Sequence, residues 1–220
     1  MKYLFFFAIL LSIIEAKELP KGFVYIKDEI PSIQLDIRYY TDNNFVGEAI
    51  DGYKAPKAIL TKEATNALKK VQSYLKDFGL GVKIFDAYRP QKAVDHFIRW
   101  AQEINNTKMK STYYPNVDKK NLFKEGYIGK HSGHSRGSSI DITIIDLKTK
   151  DELDMGSSFD RFDPCSWVSY TNLTTQQRAN RAFLQSIMVR FGFKPYKKEW
   201  WHFTLKNEPY LNKYFNFDVE

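Results

Sequence analysis

The sequence predicts a single α+β domain, a small antiparallel sheet flanked by helices. Three observations lead there. A chain of 220 residues with 43% hydrophobic residues is long enough for one sizeable core. Its apolar residues recur with helical period in some stretches and alternate in others. It shows no internal repeat, low-complexity tract or linker. A 16% aromatic content with only 11 Gly and 8 Pro excludes disordered, collagen-like and coiled-coil chains.

The first segment sets a boundary. Met1-Lys2 supplies a positive start, Tyr3 to Ile14 is uninterrupted by charge, and Ala16 offers a small residue for cleavage. Twelve apolar residues fall short of the roughly 20 a membrane span needs but match a signal-peptide core. Residues 1–16 are therefore expected to be a signal peptide and 17–220 the exported domain, with no stable membrane insertion after cleavage. An uncleaved anchor is the rival reading, because Ile14 is not the small residue usual two positions before Ala16.

Phe23 to Ile26 and Ile33 to Arg38 read as strands joined by a turn at Pro31. After Thr61, residues Ala64, Leu68, Val71, Leu75 and Phe78 fall on one helical face, and Gly79 stops the helix. Val82 to Phe85 reads as a strand leading into Asp86-Ala87-Tyr88-Arg89-Pro90. Pro90 can open a second helix with Val94, Phe97, Ile98 and Ala101 inward. Residues 105–139 are polar and aperiodic, as expected of a lid or binding loop. Ile140 to Ile145 alternates as a strand with Asp141, Thr143 and Ile145 on one side. A loop over 151–174 precedes a third helix carrying Phe183, Leu184, Ile187 and Met188, ended by Gly192. Trp200 to Leu205 closes the sheet.

Lys and Arg number 33 against 26 Asp and Glu, a net charge of +7 with pI near 9.2. The excess is scattered with no long run of like charge, so it reads as a solvated exterior and no nucleic-acid partner is expected. The lone Cys165 permits no internal disulfide. It stands in Asp163-Pro164-Cys165-Ser166, without a neighbouring positive charge to activate it as a nucleophile.

Chemistry concentrates in two stretches. In His134-Ser135-Arg136-Gly137-Ser138-Ser139-Ile140-Asp141, a turn at Gly137 can fold the imidazole back toward the strand bearing Asp141. In Glu199-Trp200-Trp201-His202, His202 supplies a third ligand and Glu199 a nearby carboxylate. Three N and O ligands with one open position suit a catalytic zinc ion, and one Cys excludes a Cys-rich structural site. Such a site needs a base, and Glu199 fits that role. Positions three apart in an ideal strand face opposite ways, so Glu199 is expected in the turn after Lys197-Lys198, curling back toward His202. Spacing leaves His131 and His134 as rival ligands.

The sequence resembles the zinc D-alanyl-D-alanine dipeptidases of the VanX type, within the wider group of zinc D-Ala-D-Ala peptidases. The pattern S-x-H-x-x-G-x-x-x-D is matched from Ser132 to Asp141, and E-x-W-H by Glu199 to His202. The likeness extends to Asp86-Ala87-Tyr88-Arg89-Pro90, Tyr39 to Phe45, and Leu153 to Gly156 through Phe159-Asp160, spanning nearly all of the chain after the signal.

The resemblance selects His134 over His131. It implies one zinc ion on His134, Asp141 and His202, Glu199 as general base, and Arg89 as stabiliser of the oxyanion. Asp86 is expected to orient Arg89 and to share in the substrate site. Ser132, Asp160 and Tyr39 are implied as acceptors for the substrate's ammonium. Phe97 is either a wall of the methyl subsite or a helix-core residue. The expected partner is a small D-amino-acid dipeptide or a peptidoglycan fragment, and export suggests recycling of wall material. Two rival functions stay open at this point: a D,D-carboxypeptidase or endopeptidase trimming stem peptides, and a non-catalytic wall- or zinc-binding module.

Overall fold

The computed structural model describes residues 18–220. The expected signal peptide over 1–16 lies outside the described residues. No described helix is long and apolar enough to cross a membrane.

Strand β1 (Phe23–Tyr25) passes directly into a short helix α1 (Ile26–Glu29), followed by β2 (Gln34–Leu35). The two strands expected here form, but they do not pair with each other. The one-turn helix brings Ile26 and Ile30 to the same face, and both are buried. β1 instead pairs antiparallel with β3 (Ile59–Thr61), and β2 pairs in parallel with β4 (Leu80–Asp86). The main sheet therefore departs from the expected antiparallel form at one edge. A parallel partner needs a long crossover, which β3 and helix α2 (Lys62–Lys76) supply.

Thr61 caps α2, its hydroxyl accepting from the Ala64 amide. Ala64, Leu68, Val71 and Leu75 are buried as their spacing predicts. Phe78 is not: it is 56% exposed. The helix ends at Lys76 and Gly79 turns left-handed at φ +71, so position 78 has left the helical register and rests against Tyr74 and Phe183.

Helix α3 (Gln91–Gln102) starts after Pro90 and buries Val94, Phe97 and Ala101, with Ile98 half-buried. The segment expected to lack regular structure holds a single helical turn, α4 (Lys110–Tyr113), and two 3-10 turns. It is tied down by Lys119, whose ammonium donates to the Glu103 and Asn106 carbonyls and lies 4.0 Å from the Trp100 ring centre.

β5 (Ser139–Asp146) is the centre of the five-stranded sheet, whose order is β2-β4-β5-β7-β6. It is buried at every position but its last, so its alternation separates two covered faces rather than core from solvent. Helix α5 (Thr175–Arg190) opens with a reciprocal cap between Thr174 and Gln177 and buries Leu184, Ile187 and Met188, with Phe183 partly covered. Two strands follow it, β6 (Phe193–Tyr196) and β7 (Glu199–Leu205). Only the second was expected, since Lys194 and Pro195 break the apolar pattern of an edge strand. The tail after β7 folds back, stacking Phe215 and Phe217 on Phe23 and Tyr88.

Candidate metal centre and active site

The sheet register assembles the site. β5 is flanked by β4 and β7, and Asp86, Asp141 and His202 fall opposite one another in a single row across the three strands. The ladder between β4 and β5 slips at Phe85, which aims the end of β4 anew. His134 arrives from the 3-10 turn Gly133–Arg136, which Ser132 caps by accepting the His134 amide at 3.2 Å. Gly137 ends that turn at φ +79 and sends the chain into β5. The expected fold-back of His134 onto Asp141 is thus produced by a cap at one end and a left-handed glycine at the other.

Three candidate ligand residues converge. His134 Nε2 lies 3.0 Å from His202 Nδ1 and 3.3 Å from Asp141 Oδ2, and His202 Nδ1 lies 3.0 Å from Asp141 Oδ1. Tetrahedral bonds of about 2.0–2.2 Å put neighbouring ligand atoms about 3.3 Å apart. The cluster therefore fits one divalent ion, and it is the group that can hold one among the described residues. The other nitrogen of His134, Nδ1, sits 2.6 Å from the Ala87 carbonyl. A carbonyl can only accept, so Nδ1 carries the proton and Nε2 keeps its lone pair for a metal. Burial opposes charge on Asp141, but His134 and His202 pull its carboxyl well below the ordinary range.

His131 is not in this cluster. It stacks on Tyr214 at 4.5 Å and lines the cleft, while His134 is the one grouped with Asp141 and His202.

Glu199 is the first residue of β7 and not, as expected, part of the turn, which is Lys197-Lys198. Its Oε2 nevertheless comes within 3.7 Å of His202 Nδ1. Two irregularities reconcile this with strand geometry. The pairing of β6 with β7 slips at Pro195, and β5 pairs with β7 only from His202 onward, so residues 199–201 are not held to ideal alternation. Burial raises the Glu199 carboxyl to about 7, opposed by the His202, Arg89 and Lys198 charges.

Arg89 follows β4 directly. Its Nε donates to Asp86 Oδ2 at 2.9 Å, and its Nη2 lies 3.5 Å from Asp141 Oδ2. The guanidinium also rests over the rings of Tyr39 and Phe97, 4.9 and 5.3 Å from their centres. Asp86 corrects an expectation. It is fully buried behind Arg89, with Tyr53 donating to its other oxygen, and it does not line the cleft. Its oxygens are taken by Arg89 and Tyr53, and it has no exposed surface to offer a substrate.

The cleft has a volume of about 370 Å³, within the range of small-molecule sites. Tyr39, Ser132 and Asp160 all line it. Tyr39 donates to Asp160 Oδ2 at 2.8 Å, and burial, then the Asp141 charge, holds the Asp160 carboxyl well above its ordinary value. Phe97 meets both descriptions weighed for it, being a buried residue of α3 and a wall of the cleft. Most residues of 126–136, together with Asp160 and Phe162, wall the cleft from the two long loops. Cys165 lies outside it, and burial raises its thiol pKa, as befits an unreactive cysteine.

Sequence reasoning missed Tyr53, Tyr196 and Thr204. Tyr53 is one of 14 tyrosines with no local feature to mark it, and its place against Asp86 depends on a bridge to Val219 at the opposite end of the chain. Tyr196 and Thr204 sit on β6 and β7, and the pairing of β7 with β5 on one side and β6 on the other carries them to the cleft.

The family Peptidase_M15, D-ala-D-ala dipeptidase, matches residues 20–220. A D-alanyl-D-alanine dipeptidase of Streptomyces coelicolor is 39% identical over 197 residues, covering 90% of this chain and 98% of the relative. One from Enterococcus faecium is 38% identical over 199 residues, with the same coverage of both chains. A solved structure, a mutant of the vancomycin resistance D,D-pentapeptidase VanY in complex with Zn(II), aligns with 70% of this chain and 77% of its own. Its TM-score of 0.42 and 13% identity are too low to bear on the site.

Proposed function

Since this chain belongs to the D-ala-D-ala dipeptidase family Peptidase_M15, we propose that it is a zinc metallopeptidase that hydrolyses the D-alanyl-D-alanine dipeptide to two D-alanines. The observation that carries the reading is the convergence of His134, Asp141 and His202 on one ion-sized space with the Glu199 carboxylate beside them. The two-nitrogen, one-oxygen donor set suits zinc, which when bound supplies a Lewis acid and lowers the pKa of its water to about 7.

Glu199 takes a proton from the attacking water and later returns one to the leaving amine. A pKa near neutrality suits a group that must both accept and release a proton. Arg89 offers fixed donors to the oxygen that gains charge as the carbonyl becomes tetrahedral, and its clasp by Asp86 holds the guanidinium in place before substrate arrives. Asp160 meets the dipeptide's ammonium, with Tyr39 and Ser132 as neighbours. Burial opposes charge on Asp160 and a cation beside it favours the carboxylate, so an acylated nitrogen would forfeit that pairing.

The test is metal analysis together with hydrolysis of D-Ala-D-Ala, its L,L counterpart and a wall-derived pentapeptide. The reading expects one zinc per chain and preference for the free D,D-dipeptide. A preference for the pentapeptide would favour a trimming carboxypeptidase.

Export to the cell exterior, with a role in recycling peptidoglycan fragments, rests on the apolar run from Tyr3 to Ile14. Cell fractionation tests it: full-length protein confined to the cytosol would end that proposal.

A further inference from the structure

Residues 153–168 form an irregular arch with Asp160 near its apex. Its one regular piece is the 3-10 turn Pro164–Ser166. Asp160 itself stands at φ +60, uncommon for a residue with a Cβ, so something must hold the arch in shape. Phe159 stacks on Phe85, and Phe162 on Tyr127, which anchors the apex locally. Neither contact joins the two limbs, which meet directly where the Ser157 and Ser166 hydroxyls lie 3.1 Å apart.

Arg181, on α5, reaches both limbs. Its Nε donates to the Met155 carbonyl at 2.6 Å and its Nη2 to the Ser157 hydroxyl at 3.2 Å, both before Asp160. Nη2 also donates to the Cys165 carbonyl at 2.8 Å and Nη1 to the Trp167 carbonyl at 3.2 Å, both after it. Trp200 donates to the same Ser157 hydroxyl from β7. Arg181 is only 8% exposed and makes no ion pair among the described residues, so its hydrogen bonds go to three backbone carbonyls and one hydroxyl, with the Trp200 ring centre 5.9 Å away. Burial lowers its pKa accordingly. An apolar residue could fill that space without the desolvation, but only a flat, five-donor group can bind four acceptors on two strands of chain at once.

We propose that Arg181 is a positioning residue that sets the arch so that Asp160 meets the substrate's ammonium. This rests on the reading of Asp160 given above. Arg181 touches neither substrate nor metal, and acts through the arch.

The experiment compares the zinc-loaded protein with Arg181→Lys and Asp160→Asn on D-Ala-D-Ala and on N-acetyl-D-Ala-D-Ala, recording kcat, KM, zinc content and melting temperature. Arg181→Lys keeps the charge but loses the fork. It is expected to bind zinc normally and to raise KM for the free dipeptide about tenfold, the scale of one misplaced charge-assisted hydrogen bond, with kcat changed much less. Its preference for the free over the acetylated dipeptide should shrink toward that of Asp160→Asn.

A wild-type KM and preference, or equal losses on both substrates, would overturn the inference. Should Arg181→Lys not fold, Ser157→Ala decides the matter. It removes one partner of the guanidinium together with the Ser166 and Trp200 contacts of the same hydroxyl, and unchanged KM and preference there would count against the proposal. An Asp160→Asn protein that keeps the preference would overturn the reading of Asp160 and this inference together. If only Arg181→Lys keeps it, the inference alone fails.

Discussion

The Nε of Arg89 and the Oδ2 of Asp86 lie 2.9 Å apart at the end of β4, and Tyr53 holds the other carboxylate oxygen at 2.5 Å. The guanidinium that faces the metal cluster is therefore clamped from behind, within the core. Asp86→Ala should leave a buried cation without its partner and cost about 3–5 kcal/mol of stability, since breaking a buried pair strands the other charge. Denaturant unfolding measures this, and a cost below about 1 kcal/mol would show that the pair holds nothing in place.

Removing one metal ligand should empty the site. His134→Ala is expected to reduce zinc from one per chain to a small fraction, read by metal analysis of dialysed protein. Chelation of the wild-type protein should lower its melting temperature and added zinc restore it, because an ion that binds only the folded chain stabilises it. The chelator effect should be absent in His134→Ala.

Glu199→Gln keeps the shape of the side chain and removes its ability to take a proton. Turnover of D-Ala-D-Ala should fall about 10²–10⁴-fold, the usual contribution of a positioned base, with zinc content unchanged. Retention of near wild-type kcat would remove Glu199 from the reaction.

The same residue links stability to pH in the metal-free protein. Its proton is held up to about pH 7 in the folded chain, against an ordinary 4.5, because burial disfavours the carboxylate. Between those values the folded state binds more protons than the unfolded, so stability falls as pH rises through the window. The contribution is complete below pH 4.5 and lost above 7, and amounts to at most about 3 kcal/mol. Unfolding of metal-free wild-type and Glu199→Gln proteins at about pH 4.5 and about pH 8 should show the wild type losing stability relative to the variant. Parallel curves would contradict the burial of this carboxyl.

Gly137→Ala places a methyl group 2.2 Å from Phe23 Cε1 at a left-handed φ of +79. Both strain and overpacking oppose it, so a loss of about 2 kcal/mol or more is expected in denaturant unfolding. Because the turn carries His134, zinc affinity should fall with it.

Much of the helical framework was legible along the chain. The Thr61 cap, the face from Ala64 to Leu75, the Pro90 start and the Gly79 and Gly192 stops are local signals, and each acts through the backbone or a neighbour within a few residues. The candidate ligands and Glu199 could be singled out for a different reason, although spacing left His131 beside His134 and only the family resemblance chose between them. A tight turn and two short motifs keep them near one another in sequence, within each half of the site. Phe78 misled because periodicity carries no information about where a helix unwinds. The early strands misled because apolar runs do not announce their partners.

The sequence by itself determined the chemistry available: which side chains can ligate a metal, which can move a proton, and which turn can bend His134 toward Asp141. Tertiary structure alone decided which of them share a space. The row of Asp86, Asp141 and His202 exists because β4, β5 and β7 pair in one register, and a slip of a single residue would turn Asp141 to the opposite face. The withdrawal of Asp86 behind Arg89, the irregular pairing that lets Glu199 face His202, and the reach of Arg181 across the arch all arise from contacts between residues distant in the chain. Local pattern cannot encode such contacts, because they are settled by the packing of the whole core.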